Sequence, residues 1–145
     1  MPQTPAVPGH VRLVGLVAFL AYLAGAADYL LRRLEVTEWT DRIPAEWLAY
    51  IAAVPQWLDI AWTIAVWLGL LGAILLLRRE RTAVLPMAGA FIAAALAVVG
   101  AFVTQPPPGG LDTAAPTIWA AAILVVFTAL VWVYARSAKT AGWLD

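Results

Sequence analysis

Two acids stand where an acid is costly. Asp28 lies near the end of an apolar run that begins at Val11, and Asp59 near the start of a second run from Gln56 to Leu77. An ionisable group inside a membrane-length apolar run is a functional-site candidate by default. Each also has a structural explanation. Arg32 follows Asp28 by four residues, one helical turn, where the two side chains can pair. Asp59 sits where the free N–H groups and dipole of a helix start favour an acid. Both fall at the same end of the spans, and Tyr29, Glu46, Tyr50 and Trp57 can gather around them. Acids among aromatics can hydrogen-bond and stack on a polyol, or hold a cation. The alternative is a capped rim of snorkelling side chains. The only acid–base device these residues offer is a proton shared between Asp28 and Asp59.

Other chemistry is excluded by composition. With no cysteine there are no thiolate metal sites, Fe–S clusters or thiol nucleophiles. His10 is the only histidine, so a bis-His haem or a His-rich metal centre cannot form. There is no Gly-rich phosphate loop, metal-ligand spacing or nucleophile–base pair. The expectation is therefore a chain that is not an enzyme, with no catalytic residues, metal or cofactor. Formal net charge is zero, and no basic stripe points to nucleic acid.

The elements that must carry these residues are membrane spans. Of the 145 residues 63% are hydrophobic and 12% charged, against about 25% charged in a soluble domain. A bilayer-crossing helix needs about 20 apolar residues. Four stretches meet this, at about 11–31, 56–77, 83–103 and 117–134. The prediction is an all-α integral membrane protein, a single domain over 1–145. It forms an antiparallel four-transmembrane-helix bundle with a short interfacial helix in its first loop. Pro2, Pro5 and Pro8 make residues 1–10 a disordered tail. AGAA at 24–27 resembles a small-residue cleavage site, but the apolar run continues past it and reads as a retained helix. Residues 44–53 start with a proline and an acid, as helices do, and Trp47 and Tyr50 suit an interfacial anchor. Pro55 separates this helix from the second span.

Lipid tails are as apolar as leucine, so helix association relies on close packing of small residues. Ala61, Ala65, Gly69 and Ala73 recur every four residues on the second span, and Gly89, Ala93, Ala97 and Ala101 on the third. These stripes are expected to pack on each other. On the first span Ala18, Ala21, Gly25, Asp28 and Arg32 define the expected inward face. Trp67 falls mid-span, opposite the stripe of its own helix: it either faces lipid at an unusual depth or packs on another helix or on a partner, and packing is the expectation. Arg12, Arg78, Arg79, Arg81, Arg136 and Lys139 share one side of the membrane, against Arg32, Arg33 and Arg42 on the other. The positive-inside rule then places both termini in the cytoplasm. Arg78, Arg79 and Arg81 fix that topology, or also hold anionic lipid headgroups.

The runs AADY at 26–29, PAEWLAYIAAVPQW at 44–57 and AVWLGLLGAILLLRR at 65–79 resemble a family of small bacterial four-helix inner-membrane proteins, some labelled as sugar transporters. The family pattern falls on Asp28-Tyr29, Pro44 to Tyr50, Pro55-Gln56-Trp57 and Val66-Trp67-Leu68-Gly69, with Leu68 in place of a second glycine. The layout is also distantly similar to DoxX-type proteins. Those carry a Glu within the second helix, which is absent between Gln56 and Leu77, so no redox role is implied. The resemblance implies a bacterial inner-membrane location. Two functions are expected: an accessory subunit of a homo-oligomer or larger membrane complex, or a carrier or binding protein for a small, sugar-like solute with an outer site near Asp28 and Asp59.

Overall fold

The computed structural model describes residues 8–105 and 115–145. Among them there is no strand. The long helices are α1 (His10–Arg33), α4 (Gln56–Leu77), α5 (Val84–Thr104) and α6 (Ala115–Thr140). Each is long and apolar enough to cross a bilayer. Two short helices, α2 (Thr37–Thr40) and α3 (Ala45–Ala53), fill the first connection, and a 3₁₀ turn at Arg81–Ala83 leads into α5. The four-span layout is the one the apolar runs predict. The expected disorder of residues 1–7 lies outside the described residues, and His10 already belongs to α1. The fourth helix does not stop at residue 134: it runs to Thr140, carrying Arg136 and Lys139 on the helix itself.

The starts and stops have local causes. Pro44 and Pro55 both have extended backbone and cap α3 and α4, so the chain turns sharply twice within about ten residues. Pro86 lies in the first turn of α5, where its missing N–H has no helical partner to lose. α1, α4 and α6 each end in a Schellman motif, which satisfies the last carbonyls with two backward N–H bonds. For α4 these are Arg79 N to Leu76 O at 3.0 Å and Glu80 N to Leu75 O at 2.9 Å. Gly142 takes the left-handed position after α6, but Glu35 (φ 52°) and Arg79 (φ 61°) take it after α1 and α4.

Packing follows close approach at small residues. α4 lies antiparallel between α1 and α5. Ala65 packs with Ala93 and Ala94, as the paired stripes predict. The rest of the stripe is divided. A Cβ on Gly69 would fall within the ring of Tyr22 from α1, so this glycine seats α1 and not α5. α5 is instead received at Gly72, against Met87, while Leu68 reaches into the space left by Gly89. Ala61, Ala73 and Ala97 are buried, while Ala101 is half-buried. The inward face of α1 is also rotated from expectation. Val11, Gly15, Ala18, Tyr22 and Ala26 are buried, whereas Ala21 is exposed and Gly25 has open space at its Cβ position. The cause is Tyr22: its ring needs the Gly69 notch, and that fixes the rotation of the whole helix.

At the α4–α5 turn the bundle is sealed. Leu144 is fully buried beside Val11, Leu76 and Ala138. Arg81 donates its backbone N–H to Asp145 O at 2.9 Å and its Nε to Leu144 O at 2.9 Å. Asp145 N donates in return to Arg79 O at 2.7 Å. Trp143 meets the His10 ring edge-on at 5.2 Å. Trp143, Leu144 and Asp145 are thus clasped onto the turn.

Candidate functional site: a pocket beneath the short helix α3

At the opposite end, among the described residues, a cavity lies beside α3. It measures about 240 Å³ and is bounded by Trp47, Tyr50 and Ile51 of α3 and Val54 just after it, by Leu58, Asp59 and Trp62 of α4, and by Ala97, Val98, Ala101 and Phe102 of α5. Arg32 of α1 and Ala121 of α6 complete it. All four long helices therefore contribute, and the walls are mostly apolar. The double proline turn makes this geometry. Pro44 sets α3 running and Pro55 turns the chain straight into α4, so α3 lies over the mouth of the bundle. Tyr50 fastens it from above, its hydroxyl donating to Gln105 O at 3.3 Å at the end of α5. Burial of that hydroxyl pushes its pKa above the usual tyrosine value. Trp47 packs edge-on against Tyr50 with ring centroids 5.5 Å apart.

A second, more polar recess of about 330 Å³ adjoins on the other side of Asp59, lined by Tyr29, Arg33, Gln56, Ile60, Thr63 and Ile64. Thr63 Oγ1 lies 2.9 Å from both the Tyr29 hydroxyl and the Asp59 carbonyl. Thr63 satisfies both contacts by donating its own proton to the Asp59 carbonyl and accepting that of the Tyr29 hydroxyl. Asp59 is thus the residue common to both cavities.

The sequence-derived candidates separate into two groups. Asp28 does pair with Arg32, through Nη2 at 2.8 Å and Nε at 3.1 Å. It also accepts from Trp39 Nε1 at 3.0 Å, a partner not foreseen, supplied by the short helix α2. Asp28 borders neither cavity. It pins the loop after α1 and holds the Arg32 guanidinium in place. Asp59 faces Arg33 at 3.7 Å instead. The two acids each face a different arginine, and among the described residues no hydrogen bond joins them. Glu46 is exposed on α3 and borders neither cavity. Trp57 is half-exposed and also outside both, with its ring edge near Gly100. Among the wall residues not singled out by sequence are Trp62, Phe102 and Val98. As apolar residues in apolar spans they carry no signal of their own until α3 is placed above them.

The arginine block is engaged. Arg78 lies 3.1 Å from Glu80, Arg79 lies 3.8 Å from Asp145, and Arg81 is bonded to Leu144 O. Trp67 lies on the outward side of α4. It is 43% exposed, within an outward row of Ile60, Ile64, Leu71 and Ile74. Among the described residues no group of histidine, cysteine and acids is arranged to hold a metal ion. The chain matches no model of a known protein family, no curated protein and no solved structure.

Proposed function

We propose that this protein binds a small molecule at the α3 end of its bundle, as a multi-pass carrier or binding protein of the bacterial inner membrane. The carrying observation is the cavity itself: a space drawn from all four long helices, roofed by α3 and containing one carboxylate. The cavity lies at the end opposite the clasped turn, where a solute arriving from one aqueous face would enter. With Arg12, Arg78, Arg79, Arg81, Arg136 and Lys139 at the clasped end, the positive-inside rule puts that end in the cytoplasm and the pocket outside.

The chain has no cysteine, so single-cysteine variants report cleanly. Ala101→Cys, in the pocket wall, is expected to react in spheroplasts with a membrane-impermeant maleimide, and Leu71→Cys on the lipid face is not. An unreactive Ala101→Cys in folded protein would contradict an outward, water-entered pocket.

A second reading rests on Trp67. Its exposed row on α4 suits a contact with a further copy or a larger membrane complex, the accessory role the sequence suggests. Trp67→Cys would then cross-link under oxidation in native membranes, and a chain that stays monomeric would remove this reading.

A further inference from the structure

We infer that the ligand of this pocket is a small organic cation, an apolar body carrying one protonated or quaternary nitrogen. The inference rests on the binding reading above and adds the chemical class. Four aromatic side chains, Trp47, Tyr50, Trp62 and Phe102, contribute to a wall that is otherwise aliphatic apart from Asp59 and Arg32. Aromatic faces attract a cation through their quadrupole, and more strongly when the site is dry. Asp59 is the one carboxylate of that wall. Its ion-pair partner, Arg33, is 3.7 Å away with a side chain 68% exposed. That is the weak, solvent-screened kind of surface pair, which a better-placed cation displaces readily.

The other charge in the wall does not oppose this. Arg32 gives two donors to Asp28, so its charge is compensated outside the cavity. For the same reason it is not a free anion site. A polyol fits poorly. It needs several donors and acceptors, but the Tyr50 hydroxyl is committed to Gln105 and the Arg32 guanidinium to Asp28. The sugar-like solute implied by the family resemblance is therefore replaced by an apolar cation.

The test uses the full chain in lipid nanodiscs and calorimetric titration with benzyltrimethylammonium, its neutral isostere neopentylbenzene, and benzenesulfonate. The cation is expected to bind at least about tenfold more tightly than either other probe. Asp59→Asn should abolish that preference, while Asp59→Glu retains it and shows that the site still folds. Equal or tighter binding of the neutral or anionic probe, or a preference unchanged in Asp59→Asn, would overturn the inference. Ala101→Trp, which fills the pocket, separates this from failure of the site. If the neutral or anionic probe binds as tightly as the cation and that binding is lost in Ala101→Trp, the pocket stands and only the ligand class falls. If no probe binds, or none responds to Ala101→Trp, both fall.

Discussion

Gly69→Ala tests how the α1–α4 seam is built. The added Cβ would overlap the ring edge of Tyr22. Tyr22 is buried and has Phe127 of α6 beyond it, with ring centroids 6.0 Å apart, so the ring cannot withdraw without disturbing a third helix. Overpacking of this kind costs about 1–3 kcal/mol. Replacing a helical glycine by alanine returns up to about 1 kcal/mol of helix propensity. The net expectation is a loss of about 1–2 kcal/mol. In a Tyr22→Ala background the clash is absent and only the propensity gain remains, so a double-mutant cycle should give a coupling of about 2–3 kcal/mol. Reversible unfolding in mixed detergent–SDS micelles, followed by circular dichroism, measures it. Gly25→Ala is the control, since nothing lies within 4 Å of its Cβ position. It should be neutral or slightly stabilising. A coupling near zero, or a Gly25→Ala loss as large as that of Gly69→Ala, would refute the assigned rotation of α1.

The remaining expectations concern the two ends. Leu144→Ala empties a fully buried site in the clasp and should cost about 2–5 kcal/mol in the same unfolding assay. Glu35→Gly relieves a left-handed residue and should stabilise by about 1 kcal/mol, with no loss of probe binding. Asp28→Asn weakens the charge-assisted bonds from Arg32, so proteolysis of the 34–43 loop should quicken and cation binding should weaken, because the Arg32 charge in the pocket wall loses its partner. Tyr50 contributes pH-dependent stability. Its pKa in the folded protein lies above the ordinary 10.0, so the contribution is fully present below pH 10.0 and is lost as pH rises through the raised value. Stability measured across alkaline pH should fall for the parent and fall less steeply for Tyr50→Phe.

The spans were legible because length and apolarity suffice to define them, and α3 was legible from Pro44, Glu46 and its aromatics. The α4–α5 pairing followed from small residues at spacing four. The rotation of α1 did not, because small size marks several faces of a helix rich in alanine and glycine. What selects one is the fit of Tyr22 into Gly69, a contact 47 positions apart in sequence. The extension of α6 carried a signal in Gly142, which stands where a helix-ending glycine belongs. The polar residues Arg136 and Lys139 masked it, although charged side chains at a helix end can snorkel to the interface. Asp28 and Asp59 were both recognisable as candidates. Their different roles were not, since Trp39 reaches Asp28 only once α2 has formed and Asp59 meets the aromatics only once α3 folds over the bundle.

Occupancy of the pocket is the most direct measure of the central claim. Native mass spectrometry of the protein extracted in nanodiscs made from its own membrane would reveal a retained small molecule. The account predicts a bound species on the parent chain that disappears in Ala101→Trp and is weakened in Asp59→Asn. A parent chain with no such species, or the same species retained in Ala101→Trp, would contradict it.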